Sequence, residues 1–127
     1  MQAVAQRERR LQGGTGDAAW LMAPVDLVHL RRFTMGNRDL EREVLQLFAN
    51  QSPLIVQRLQ QATTAKAWRD AAHTLKGSAG AVGAHAVARA AAEAELLVGD
   101  AASWPAGVAR VRLALDEACS FIETGAV

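Results

Sequence analysis

His73 lies in the segment Ala72-His73-Thr74-Leu75-Lys76-Gly77-Ser78-Ala79-Gly80, and the chemistry of the chain is concentrated there. On a helix, Lys76 follows the histidine at i+3, Gly77 at i+4 and Gly80 at i+7, so these positions share or flank one face. A neutral imidazole is a competent nucleophile near pH 7, because an unperturbed histidine titrates near ~6.5. Such a ring can accept a phosphoryl group and hand it on through a labile phosphoramidate bond. Lys76 is a compact cation one turn away, placed to neutralise phosphoryl oxygens, and Arg69 at i−4 adds a second positive group. Asp70 at i−3 is within reach of the ring, but that spacing is common on helix surfaces and assigns it no role.

The two glycines carry a cost. Glycine within a helix is about 0.5–1 kcal/mol less favourable than alanine, and this chain uses alanine freely elsewhere. Clearance explains them: without a Cβ at Gly77 or Gly80, a partner protein can bring its backbone and active site up to the ring. The surroundings contain no phosphate-cradling loop, no Walker-type lysine and no kinase-type catalytic loop. The pattern therefore describes a carrier whose catalytic groups come from its partners.

The helix that presents His73 is read from about Lys66 into Ala81, capped by Thr63 or Thr64 and broken at Val82-Gly83-Ala84. Its apolar stripe is Trp68, Ala71, Ala72, Leu75, Ala79 and Val82, all within about 60° of Leu75 on a helical wheel, whereas His73 falls roughly 160° away. The histidine is thus expected in solvent. Upstream, Pro24 and Asp26 open a short helix with Leu27, Leu30 and Phe33 or Thr34 on one side, ending at Met35-Gly36-Asn37. A second helix spans about Arg38 to Ala62, with the stripe Leu40, Val44, Leu47, Phe48, Ile55 and Leu59 and an expected kink at Pro53. A fourth covers about His85 to Val98 and stops at Gly99-Asp100. Ser103 caps a fifth, with Pro105 in its first turn and the stripe Val108, Val111, Leu115, Ala118 and Ile122. The fold class is all-α, an up-down-up-down four-helix bundle with a short N-terminal capping helix. Residues 1–21 read as a flexible N-terminal tail and residues 22–127 as one domain.

The 127 residues allow one modest core, and the 50% hydrophobic content is that of a globular chain. Fourteen basic and 13 acidic residues give a net charge of +1, which gives no support to nucleic acid as the partner. Cys119 is the only cysteine, so no internal disulfide can form, and it reads as a small buried hydrophobe in a reducing compartment. With no apolar run of membrane-spanning length, the chain is expected to be soluble and cytoplasmic. His29 reads as exposed and inert, and His85 as a local hydrogen-bonding group at a helix start. Neither forms metal-ligand spacing with His73, so no metal site is expected. Glu93 and Glu95 read as solvation or an interhelical bond.

The segment from Ala72 through Ala84 strongly resembles the signature of bacterial histidine phosphotransfer (HPt) domains: His-x-Leu-Lys-Gly, small residues, then Gly-Ala before the next helix. The likeness extends to Val25-Asp26-Leu27, Leu30-Arg31-Arg32 and Leu47-Phe48 through Pro53, covering residues 24–122. It implies that His73 takes a phosphoryl group from a receiver-domain aspartyl phosphate and passes it to another receiver. It implies phosphoryl stabilisation by Lys76 and docking clearance at Gly77 and Gly80. Partner docking would also involve Arg69, Ser78, Gln51, Gln57 and Arg58, around the histidine helix and the helix before it. Family partners are response-regulator receivers and hybrid sensor histidine kinases. Mg²⁺ is expected only in the receiver, autonomous kinase activity is not expected, and single-domain members are usually monomers. Three alternatives compete: a receiver-binding scaffold that is not phosphorylated, a metal-dependent helical enzyme and the phosphoacceptor domain of a chemotaxis-type kinase. Retention of His73 with Lys76, the lack of paired inward Glu and His, and the missing catalytic domain weigh against them in turn.

Overall fold

The computed structural model describes residues 23–124, and the tail assigned to residues 1–21 lies outside them. Five α-helices follow in order: α1 (Leu27–Thr34), α2 (Arg38–Gln61), α3 (Ala65–Val82), α4 (His85–Leu96) and α5 (Trp104–Glu123), with a 3₁₀ turn at Ala101–Ser103. No strand occurs among the described residues. Helices α2 to α5 pack each on the next, and α2 packs back on α5, which closes the four-helix ring; α1 lies against α2 and α3.

Local chemistry sets most of the boundaries. Asp26 caps α1 by accepting the His29 backbone N–H at 3.0 Å. Asn37 caps α2 through Leu40 N–H, and Thr64 caps α3 through Ala67 N–H at 3.1 Å. Gly83 ends α3 in the left-handed conformation at φ +83°, where a Cβ would lie 2.8 Å from the Asp26 carbonyl oxygen. Only glycine fits that close approach, and it lets the Asp26 N–H donate to the Gly83 carbonyl at 2.8 Å. Ser103 departs from expectation: its hydroxyl makes no cap bond and donates instead to Asp100 at 2.7 Å. α4 also stops at Leu96, two residues before the expected end, in a turn leading to Asp100. The helical backbone of α2 continues through Pro53.

The α3 stripe is buried at all six expected positions, and so is the α5 stripe. In α2 the register differs. Its buried residues are Glu41, Leu45, Phe48, Ser52, Ile55, Val56 and Leu59, while Leu40 and Leu47 are exposed and Val44 is only partly covered. The cause is polar residues in core positions. Glu41 is buried and accepts from Arg31 Nε at 3.2 Å, so a stripe drawn through apolar residues alone slips toward Leu40 and Leu47. In α1 it is Thr34, not Phe33, that turns inward. α3 and α4 pack on each other, and both bury alanines, Ala72 and Ala79 on α3 and Ala90, Ala91 and Ala94 on α4, small residues that let helices come close.

Candidate functional site

His73 is on the outer side of α3, with its side chain 68% exposed. Its Nδ1 lies 3.1 Å from Glu95 Oε2 on α4, and the other carboxylate oxygen of Glu95 lies 3.0 Å from Lys76 Nζ. One carboxylate therefore bridges the imidazole and the ammonium. The antiparallel α3–α4 hairpin produces this contact, because His73 and Glu95 stand at nearly equal distances on either side of the Gly83 turn. The Lys76 ammonium holds the Glu95 carboxyl below its ordinary value, and the bond from His73 adds to that, against a smaller opposing effect of burial.

A carboxylate accepts hydrogen bonds, so with a neutral ring the contact selects the tautomer that carries its proton on Nδ1. The Nε2 lone pair is then free to attack. As a bond forms at Nε2, positive charge develops over the ring, and Glu95 stands where it stabilises that charge. Sequence reasoning had reduced Glu95 to solvation or an interhelical bond. The bond exists, and its partners are His73 and Lys76. Asp70, the other acidic neighbour, is occupied elsewhere: Lys66 Nζ donates to it at 2.6 Å, which holds its carboxyl low.

Gly77 is exposed and Gly80 partly so, and a Cβ built at either would meet nothing within 4 Å. Neither glycine makes room for a neighbouring helix. Arg69 lines an open depression together with Asp70, His73, Thr74 and Glu95, and Ser78 is partly covered on the same helix. A second groove, lined by Arg58, Gln61, Thr63, Ala67, Asp70 and Thr74, adjoins the first at Asp70 and Thr74. Arg58 is thus on the α3 side of α2, and Gln51, two turns earlier, shares its face. Gln57 lies 100° from Arg58, between the direction of Gln61, which lines the second groove, and that of Gln60, which accepts from Arg112 of α5. Leu47 and Leu54 join Gln51 and Arg58 on the α3 side and are more than half exposed. The sequence reading placed Leu47 in the core stripe and gave Leu54 no role.

The remaining histidines form a separate cluster. His85 Nε2 lies 3.0 Å from Asp26 Oδ2, a contact across 59 residues rather than a local one. The His29 ring is half-buried and sits edge-on to His85 at 5.6 Å, neither exposed nor isolated. Burial raises the Asp26 carboxyl, but the His29 N–H and the His85 ring together outweigh it and hold the group below its ordinary value. Among the described residues no group of three His, Cys, Asp or Glu side chains is placed to hold a metal ion. Cys119 is partly covered, and burial raises its thiol pKa.

The His73 ring and the depression beside it are open to solvent, while Glu95 and Lys76 are partly covered behind the ring. The family model of the Hpt domain matches residues 43–121, from within α2 to near the end of α5, and the chain belongs to the Hpt domain family. Comparisons with curated proteins and with solved structures found no match. Hpt domains serve histidine phosphotransfer in phosphorelays, together with the receiver domains and kinases of two-component systems.

Proposed function

We propose that this chain is the phosphocarrier of a bacterial phosphorelay, with His73 as the phosphoacceptor. The Nε2 lone pair attacks the phosphorus of a receiver's aspartyl phosphate. The N–P bond forms as the acyl P–O bond breaks, and the aspartate leaves as a carboxylate. The Nδ1 proton stays against Glu95 throughout. Lys76 shifts from Glu95 toward the incoming phosphoryl oxygens, a movement well within the freedom of its flexible stem. A second receiver reverses the steps and takes the group. Mg²⁺ belongs to the receivers, and the first of them belongs to a hybrid sensor histidine kinase. The receiver docks over Gly77 and Gly80, with Arg69 and Ser78 beside them and the Leu47, Gln51, Leu54 and Arg58 face of α2 extending the contact. Action as a cytoplasmic monomer is part of the same reading; among the described residues no helix is long and apolar enough to cross a membrane.

One observation carries the proposal: the exposed ring is tied at Nδ1 to Glu95, so that in the neutral ring Nε2 keeps its lone pair. The test is transfer of labelled phosphate from a phosphorylated receiver to the wild-type chain and to His73→Gln. Acid-labile, alkali-stable label on the wild type and none on the variant is the expected result. Equal labelling of the variant removes His73 from the mechanism. Stable receiver binding without labelling of the wild type would replace the carrier with a scaffold.

A further inference from the structure

The last turn of α4, which carries Glu95, is held in an unusual way. It has no basic residue near its end and no left-handed cap residue: Leu97, the C-cap, sits at φ −85° and ψ 7°. Two of its carbonyls each accept a turn N–H, Ala94 from Leu97 at 3.0 Å and Leu97 from Asp100 at 2.8 Å, and each also takes a second donor, an indole from a neighbouring helix. Trp68 of α3 donates its Nε1–H to the Ala94 carbonyl at 2.7 Å, and Trp104 of α5 donates its own to the Leu97 carbonyl at 2.7 Å. The two rings stack, with centroids 4.5 Å apart and planes 4° from parallel. Gly107 allows α5 to close on this stack, since a Cβ there would lie 3.1 Å from Leu97 Cδ1 and 3.6 Å from the Trp68 ring.

The gripped carbonyls stand on either side of Glu95. Trp68 also belongs to the helix that presents His73, on its buried side, so one helix carries the nucleophile outward and grips its partner's backbone inward. Hydrogen bonds of 3.1 and 3.0 Å from one carboxylate to two side chains of a neighbouring helix require that backbone to sit at a fixed height and rotation. Displacement by about 1 Å is enough to break such contacts. We infer that the Trp68–Trp104 stack is a positioning device for the nucleophile: by clamping the end of α4 it sets Glu95 against His73 Nδ1 and so keeps Nε2 unprotonated for attack. Trp68 and Trp104 are positioning residues, acting through Glu95 and touching no substrate. The inference rests on the reading of His73 as the phosphoacceptor.

The experiment uses the full chain carrying Trp104→Phe, which keeps an aromatic ring for the stack and removes the indole N–H. Trp68→Phe serves as the second variant, and each is made with and without Glu95→Ala. Two quantities are read: the His73 tautomer, from imidazole ¹⁵N shifts at about pH 8, above the ordinary imidazole range, and the rate of phosphate transfer from a phosphorylated receiver. In the wild type the proton resides on Nδ1. Trp104→Phe is expected to move it toward Nε2 and to slow transfer about two- to fivefold, a loss of roughly 0.4–1 kcal/mol. With Glu95→Ala already present, Trp104→Phe should change neither quantity, the non-additivity of groups acting through one another. A Trp104→Phe chain with the wild-type tautomer overturns the inference. So does slowing by the same factor with and without Glu95, because a merely structural loss would not depend on that carboxylate. The tautomer needs no receiver. A tautomer that follows Trp104 in a chain that takes no phosphate therefore supports the clamp and overturns the phosphocarrier reading, whereas a labelled chain with an indifferent tautomer does the reverse.

Discussion

Replacing Gly77 should make the protein more stable and less able to transfer phosphate. The helix gains because a Cβ at Gly77 meets nothing within 4 Å and the residue lies in the middle of α3. Exchanging a helical glycine for alanine at such an open position is worth about 0.5–1 kcal/mol, mostly from the reduced freedom of the unfolded chain. For a domain of this size that raises Tm by roughly 2–8 °C. Gly80→Ala should behave alike, for the same open surroundings. Transfer moves the other way, because a side chain then projects into the space the receiver must occupy. Forcing extra atoms into a packed contact costs about 1–3 kcal/mol, which is roughly five- to 150-fold in rate. Alanine is expected at the low end of that range and Gly77→Gln at the high end. The assays are thermal unfolding followed by circular dichroism, and single-turnover loss of label from a phosphorylated receiver. A Gly77→Gln chain that transfers at the wild-type rate would refute the clearance argument. A fall in Tm on Gly77→Ala would show that the glycine serves internal packing.

Glu95→Gln removes the charge facing the developing imidazolium but keeps an acceptor. A charge-assisted bond of about 1.5–3 kcal/mol, discounted for the exposure of the ring to about 0.5–1.5 kcal/mol, gives a slowing of roughly two- to tenfold, and an unchanged rate constant would remove Glu95 from the chemistry. Gly83→Ala combines a left-handed φ with a Cβ 2.8 Å from the Asp26 carbonyl, so a loss of at least about 2 kcal/mol in urea unfolding is expected; a loss under about 0.5 kcal/mol would show that the turn has room to yield. Asp26→Asn keeps a capping oxygen but removes the charge that faces His85 and the α1 N-terminus, at a cost of about 0.3–1 kcal/mol at neutral pH. Because the folded-state pKa of Asp26 is depressed, its contribution is complete above the unfolded value of about 3.9 and disappears as pH falls through the folded value. The stability gap between wild type and variant should therefore close below about pH 4, and a gap that widened with acid would reverse the sign of this reasoning.

The histidine helix was legible because every residue on its inner stripe is apolar while His73, Gly77 and Gly80 lie on the opposite side. Helix α2 was not, since Glu41 and Ser52 occupy core positions and leucines occupy outer ones, so hydrophobicity alone misplaced the stripe. Buried Glu41 is tolerable only with Arg31 beside it, and that pairing is a tertiary fact. The helix ends were read to within a few residues, and Ser103 failed as a cap because it ends a 3₁₀ turn in the αR conformation rather than the extended one that aims a capping oxygen at the helix. Around His73, spacing along one helix located Lys76 and the glycines. Glu95 comes from the next helix, and only the closing of the α3–α4 hairpin brings it to the ring. The contact of His85 with Asp26 was beyond reach for the same reason.

In the proposed docking, the outward leucines of α2 would set the tempo of exchange. Covering a half-exposed leucine yields about 1 kcal/mol, so Leu47 and Leu54 together give only a shallow energy well, much of it consumed by the lost freedom of two tumbling bodies. Contacts of that kind grip without strict directional demands and let go quickly. Under the proposed function, a courier that visits two different clients in succession is better served by such brief, forgiving handshakes than by a tight embrace.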